Sequence, residues 1–144
     1  MLKKTKGIWL FGLSGSGKTF LSKKILKKNK KNFLIDGDIA RKLISSKLGY
    51  SLSDRIKQNK IVLGFAKLVI KNGYFPIVSS VYLSPGVFRE AKKNMIRVVN
   101  VVAPIEQTNK KLKSKRNVVG KSIKQPKLNC EIFENSFKKN IKFK

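Results

Sequence analysis

Apolar positions along the chain fall into short runs that alternate in character. Ile8-Trp9-Leu10-Phe11 is continuous and apolar, the pattern of a strand buried on both faces. Leu21, Ile25 and Leu26 then recur at helical spacing among lysines. Phe33-Leu34-Ile35 predicts a second strand. Ile39 to Leu48 predicts a helix with Ile39, Leu43 and Ile44 on its apolar face, ended by Gly49. A longer helix is expected to start within Ser51-Leu52-Ser53-Asp54, with Ser53 or Asp54 as its cap. From Ile56 to Lys71 its apolar stripe is Ile61, Phe65, Leu68 and Val69. Gly73 closes it. Tyr74 to Val78 reads as a third strand with Phe75 and Val78 in the core, Ser79 to Pro85 as a loop, and Val87 to Met95 as a helix. Val98 to Val102 is a β-branched fourth strand. Pro104 to Leu112 is expected to be helical, Ser114 to Pro126 basic and irregular, and Glu131 to Glu134 a last short strand before a tail.

Between the first strand and the first helix lies Gly12-Leu13-Ser14-Gly15-Ser16-Gly17-Lys18-Thr19, a complete G-x-x-x-x-G-K-[ST] phosphate-binding loop. Gly12, Gly15 and Gly17 let the backbone turn tightly and approach phosphate oxygens. Lys18 offers a cation to the β- and γ-phosphates of ATP, and Thr19 a hydroxyl to Mg²⁺. The helix that starts here adds its positive end. Strand, loop and helix in this order make the motif specific. Strands alternating with helices then predict an α/β chain of the P-loop nucleoside-triphosphate hydrolase/kinase fold. Its parallel sheet has about five strands with helices on both faces, in a single domain over residues 1–144.

Composition removes several other chemistries. The chain has 144 residues, 41% of them hydrophobic, which suits a folded domain. No apolar run approaches a membrane span, and the apolar stretch after the basic N-terminus runs straight into the phosphate loop, so the expected location is the cytoplasm. There is no histidine, and Cys130 is the only cysteine. Cys/His metal clusters and a histidine base are therefore excluded, and Cys130 is expected to be a buried small residue. Proton transfer falls to a carboxylate, a lysine or a tyrosine.

The net charge of +27 attracts polyanions. Yet only five of the 34 basic residues are arginines: Arg41, Arg55, Arg89, Arg97 and Arg116. Base readers rely on arginine and interleaved aromatics, whereas these lysines are scattered and belong to no motif. The charge is read as compositional rather than as a nucleic-acid surface. It favours small phosphate-rich partners, and a homodimer is left open.

Asp36-Gly37-Asp38 follows the second strand, where open α/β sheets bind ligands. Asp36-Gly37-Asp38-Ile39-Ala40-Arg41, then Leu48-Gly49-Tyr50-Ser51-Leu52-Ser53-Asp54-Arg55, resembles the adenylylsulfate kinase family, whose patterns there are D-G-D-N-x-R and L-G-F-S-x-x-D-R. Ala66-Lys67-Leu68, Ser84-Pro85 and Asn117-Val118-Val119-Gly120 extend the resemblance, which is good from Gly7 to Pro85 and patchy beyond. It implies a kinase moving the γ-phosphoryl of MgATP to the 3′-hydroxyl of adenylyl sulfate. By that implication Asp38 orients the acceptor hydroxyl or takes its proton, Asp36 supports the Mg²⁺ and water network, and Arg41 and Arg55 grip the phosphosulfate. Gln58, Asn59 and Ser84 complete the implied acceptor contacts. Tyr50 has two readings, packing on a purine or core.

The chain also departs from the family. The asparagine inside D-G-D-N-x-R is Ile39, and the asparagine after D-R falls on Gln58, with Asn59 one residue on. After Ser84-Pro85 the nearest arginine is Arg89. The lid, about 110–126, is shortened, leaving Lys113, Lys115 or Arg116 to reach the phosphates. Two other readings follow. One is a kinase of the same family acting on another nucleotide derivative, such as cytidine diphosphoramidate. The other is a P-loop nucleotide-binding protein without turnover, or an ATPase acting on nucleic acid. Against a motor ATPase, Phe75-Pro76-Ile77-Val78-Ser79-Ser80 ends in serines and lacks a magnesium-holding acid.

Overall fold

The first apolar run forms the middle of the sheet. In the computed structural model, which describes residues 4–103 and 125–134, strand β1 (Gly7–Phe11) is buried along its whole length. Successive side chains of a strand point to opposite faces. Trp9 and Phe11 therefore enter one core and Ile8 and Leu10 the other.

Around β1 the sheet has the order β2-β3-β1-β4-β5, with every pair parallel. The strands are β2 (Asn32–Asp36), β3 (Phe75–Ser80), β4 (Ile96–Val102) and β5 (Glu131–Glu134). Helix α1 (Lys18–Leu26) covers one face through Leu21 and Ile25. Helices α2 (Gly37–Leu43), α3 (Leu52–Lys71) and α4 (Pro85–Lys93) supply the core on the other face, with Ala40, Val62, Leu63, Ala66, Val87 and Ala91. Five parallel strands with helices on both faces are what the alternating pattern predicts. The expected last strand, Glu131–Glu134, pairs with β4 and is held there by Arg97, whose Nε donates to Glu131 at 2.6 Å and Nη2 at 2.5 Å.

Three helices start two or three residues before the positions expected from sequence, each behind a side-chain cap, and α4 does so at Pro85 behind Ser84. The Asp36 carboxylate accepts from the backbone N–H of Asp38 and Ile39, so α2 begins at Gly37 and ends at Leu43. Only Ala40 then faces the sheet, while Ile39, Leu43 and Ile44 are exposed. In α3 the cap is Ser51, whose hydroxyl accepts from Asp54 N–H at 3.1 Å. Its buried stripe is Arg55, Gln58, Asn59, Val62, Leu63 and Ala66. Phe65 and Leu68 lie outside it, exposed, and Ile61 and Val69 are half-buried. The stripe has ideal helical spacing but is polar over its first turns, so apolar periodicity alone finds a neighbouring face.

Strand β3 runs on through Ser79 and Ser80, which the sequence reading assigns to a loop. Val78 is fully buried and Phe75 half-buried. Cys130 is half-buried beside the core. Among the described residues no helix is long and apolar enough to cross a membrane. The helix expected over 104–112, the lid up to 124 and the tail after 134 lie outside the described residues.

Candidate functional site

A cavity of about 450 Å³ opens at the C-terminal ends of β1, β2 and β3. Three segments that leave these strands supply its walls: the phosphate loop after β1, the Asp36–Asp38 turn after β2, and Ser79–Tyr82 at the end of β3. The fourth wall is the polar first half of α3. Strand order places neighbouring strands β1 and β3 with crossovers leaving in opposite directions, the position where parallel sheets hold ligands.

Ser14, Gly15, Gly17, Lys18 and Thr19 line the cavity. Gly17 caps α1 at φ 94°, a left-handed conformation that a side chain would strain, and no side chain caps the helix. The positive N-terminal end of α1 thus faces the cavity without a side-chain cap, placed for an anion. Lys18 is buried, and its Nζ donates to the carbonyls of Gly12 at 2.6 Å and Leu13 at 3.0 Å. Gly12, Leu13 and Ser16 lie outside the lining set. Gly12 and Ser16 are buried and Leu13 is exposed.

Asp36 and Asp38 line the cavity on opposite sides of Gly37. A side chain at Gly37 would meet the Ser79 carbonyl at 2.8 Å, so the turn can lie against β3 only with glycine there. Asp36 Oδ1 is committed to capping α2, which fixes its carboxylate. Asp38 is exposed at the cavity surface.

Arg41 and Arg55 meet over one ring. The guanidinium of Arg41 lies 4.5 Å from the Tyr50 centroid and that of Arg55 5.5 Å from it. The backbone beneath is held on both sides. Arg41 donates to the Gly49 carbonyl at 2.6 Å, Arg55 Nε to the Tyr50 carbonyl at 2.9 Å, and Gly49 N–H to the Asp54 carboxylate at 2.9 Å. The two arginines come from separate helices, and the Leu48–Arg55 segment brings them together. Tyr50 is exposed, so it is not core. Arg55 is only 4% exposed. Burial and the neighbouring Arg41 charge both pull its pKa below the ordinary arginine value. Neither arginine forms an ion pair with a carboxylate among the described residues. Two buried or half-buried cations in such a state are stabilised by a bound anion.

Similarity to known proteins fits this geometry. The sequence pattern of the family described as Adenylylsulphate kinase matches residues 4–99. The chain belongs to the adenylylsulphate kinase family. It is 40% identical over 105 residues to a probable adenylyl-sulfate kinase of Pyrococcus abyssi, covering 69% of this chain and 60% of that one. It is 31% identical over 98 residues to an adenylyl-sulfate kinase of Phocaeicola vulgatus, covering 65% and 46%. The match thus spans about half the length of these curated relatives. The fold matches the Mycobacterium tuberculosis APS kinase CysC, solved in complex with AMPPNP and APS, with a TM-score of 0.69 and 20% identity over 92% of this chain and 90% of that one.

Within this adenylylsulphate kinase family member, three further residues named from sequence have protein partners. Gln58 is buried; its Oε1 accepts from Ser45 Oγ and its Nε2 donates to the Gly37 carbonyl at 3.4 Å. Asn59 Nδ2 donates to the Tyr82 carbonyl at 3.0 Å, and its Oδ1 accepts from Ser84 N–H at 2.7 Å. Both line the cavity, yet each carboxamide already holds a neighbouring wall. Ser84 is buried, caps α4 by accepting from Val87 N–H, and is not brought to the cavity. Arg89 is exposed on α4.

The sequence reading did not single out Ser79, Ser80 or Tyr82 as site residues, though all three line the cavity. Their one available signal was position, just beyond the third strand of a parallel sheet.

Proposed function

We propose that this chain is an adenylyl-sulfate kinase, moving the γ-phosphoryl of ATP to the 3′-hydroxyl of adenylyl sulfate to give 3′-phosphoadenylyl sulfate and ADP. The observation that carries the reading is the Arg41–Tyr50–Arg55 cluster. Two guanidinium groups without a carboxylate ion pair among the described residues share the cavity with a phosphate loop and an acidic turn. A doubly anionic phosphosulfate supplies the missing charge, and guanidinium forks suit its oxygens.

In this reading the phosphate loop and α1 N-terminus receive the ATP phosphates, and Lys18 exchanges its two carbonyl contacts for β- and γ-oxygens. Asp38 orients the acceptor hydroxyl and accepts its proton, work for which the chain has no histidine. The donors near the phosphates, the Thr19 hydroxyl and the Asp36 carboxylate, are hard oxygens that fit Mg²⁺ held mainly by nucleotide and water. Bound with the nucleotide, Mg²⁺ neutralises charge on the transferred group. Gln58 and Asn59 act by holding walls of the site in place. A reaction between two nucleotides suits the cytoplasm.

The test is incubation of the purified chain with MgATP and adenylyl sulfate, with cytidine nucleotides as the alternative acceptor. A 3′-phosphorylated adenylyl sulfate is expected. ATP binding without product from any acceptor overturns the kinase reading, and product only from cytidine nucleotides reassigns the acceptor.

A further inference from the structure

Tyr82 is unusual among the cavity residues. The residue as a whole is only 7% exposed, yet its hydroxyl is not among the buried polar atoms left without a partner, so it opens to the cavity rather than being sealed from it. Its backbone is fixed from two directions. The carbonyl accepts from Ser80 Oγ at 2.9 Å and from Asn59 Nδ2 at 3.0 Å. Two residues on, Ser84 N–H donates to the same Asn59 side chain. The loop from β3 to α4 is therefore pinned on both sides of Leu83, which is itself fully buried.

A pinned loop, a packed ring and a hydroxyl open to the cavity together mark a side chain set to receive a ligand. A phenol whose ring is held by packing while its hydroxyl opens to a cavity presents a donor at a fixed position. Tyr82 lines the cavity along with Arg55, and each group influences the ionisation of the other. Burial raises the Tyr82 pKa above its ordinary value of 10.0. The hydroxyl thus keeps its proton through the physiological range and can donate.

We propose that Tyr82 is an acceptor-binding residue whose hydroxyl donates to an anionic oxygen of the acceptor nucleotide held by Arg55. Arg55 supplies charge and Tyr82 supplies direction, since a single O–H at a fixed position selects one oxygen of the anion. This rests on the kinase reading above and extends it to a residue outside the Asp-Gly-Asp and Asp-Arg motifs. In the kinase reading the nucleotide donor sits on the phosphate loop, so loss of this contact is expected to fall on the acceptor.

The test is Tyr82→Phe, which keeps the ring and removes only the hydroxyl. Wild type and variant are compared in steady-state kinetics with MgATP and adenylyl sulfate, and by calorimetric binding of adenylyl sulfate and of adenosine, which lacks the anion. The expected result is an acceptor KM raised roughly ten- to a hundredfold, the weight of a hydrogen bond to a charged group. The ATP KM and kcat should stay within about twofold, the thermal midpoint without ligand should be unchanged or higher, and adenosine should bind both proteins equally. An unchanged acceptor KM in an active variant overturns the assignment. So does an equal loss for ATP and acceptor. A wild-type chain that neither binds nor phosphorylates adenylyl sulfate overturns the kinase reading itself, and this inference with it.

Discussion

The indole Nε1 of Trp9 donates to Ser80 Oγ at 2.8 Å, joining the strand that enters the phosphate loop to the strand that ends at the opposite cavity-lining segment, Ser79–Tyr82. Ser80 passes the link on, since its own hydroxyl donates to the Tyr82 carbonyl. Trp9 is fully buried, so its N–H has no access to water. One serine thus satisfies the core tryptophan and fixes the start of the β3–α4 loop.

Ser80→Ala removes both bonds and leaves the indole N–H unmet. Unfolding free energy in urea should fall by about 1–3 kcal/mol, the cost of one unsatisfied buried donor. The acceptor KM should rise more than the ATP KM, because the loop loses one of its restraints. A variant as stable as wild type would show that the Trp9 N–H finds another partner.

Lys18→Ala should lower kcat by roughly 10²–10³-fold, the scale of losing one preorganised charge-stabilising donor. The fold should survive, since the change shortens one side chain at the cavity wall and leaves the apolar cores untouched. Circular dichroism checks the fold and single-turnover kinetics the rate.

Asp38→Asn keeps the size of the side chain and removes its basicity. Transfer to adenylyl sulfate should be abolished, with ATP affinity little changed, because Asp38 caps nothing and is exposed to the cavity. Near-normal turnover would take Asp38 out of the reaction.

Glu131 tests the edge of the sheet. The hydrogen bonds from Arg97 hold its carboxyl below the ordinary value of 4.5. A carboxylate whose pKa is lowered by folding stabilises the native state above its unfolded pKa, and that contribution is lost as pH falls through the folded value. The melting-temperature gap between wild type and Glu131→Gln should therefore be full at pH 7 and narrow as pH falls below the ordinary carboxylate value of 4.5. The pair is partly exposed, so the gap should be small and shrink in high salt. A gap that persists unchanged at pH 3 would rule out the ion pair as its cause.

Local chemistry carried by contiguous residues was legible in the chain. The eight residues from Gly12 to Thr19 specify a phosphate loop wherever a strand leads in and a helix leads out, because turn, amide cradle and cation are all encoded within them. The all-apolar run of β1 marked the centre of the sheet for a similar reason: only a strand covered on both faces needs no polar positions. The Asp-Gly-Asp turn and the two arginines were visible as motifs.

Tertiary structure decided what those motifs touch. Arg41 and Arg55 become one site only because a folded segment stacks both on Tyr50. Gln58 and Asn59 were visible as amides, but their partners lie 13 to 25 residues away, on Ser45, Gly37, Tyr82 and Ser84. The polar stripe of α3 escaped the hydrophobic pattern because its first turns face a cavity, where burial selects hydrogen bonding rather than apolar surface. Tyr82 had no motif at all. Its place in the cavity wall, with its ring packed and its loop pinned, is a property of where the strands end, not of the residues beside it in the chain.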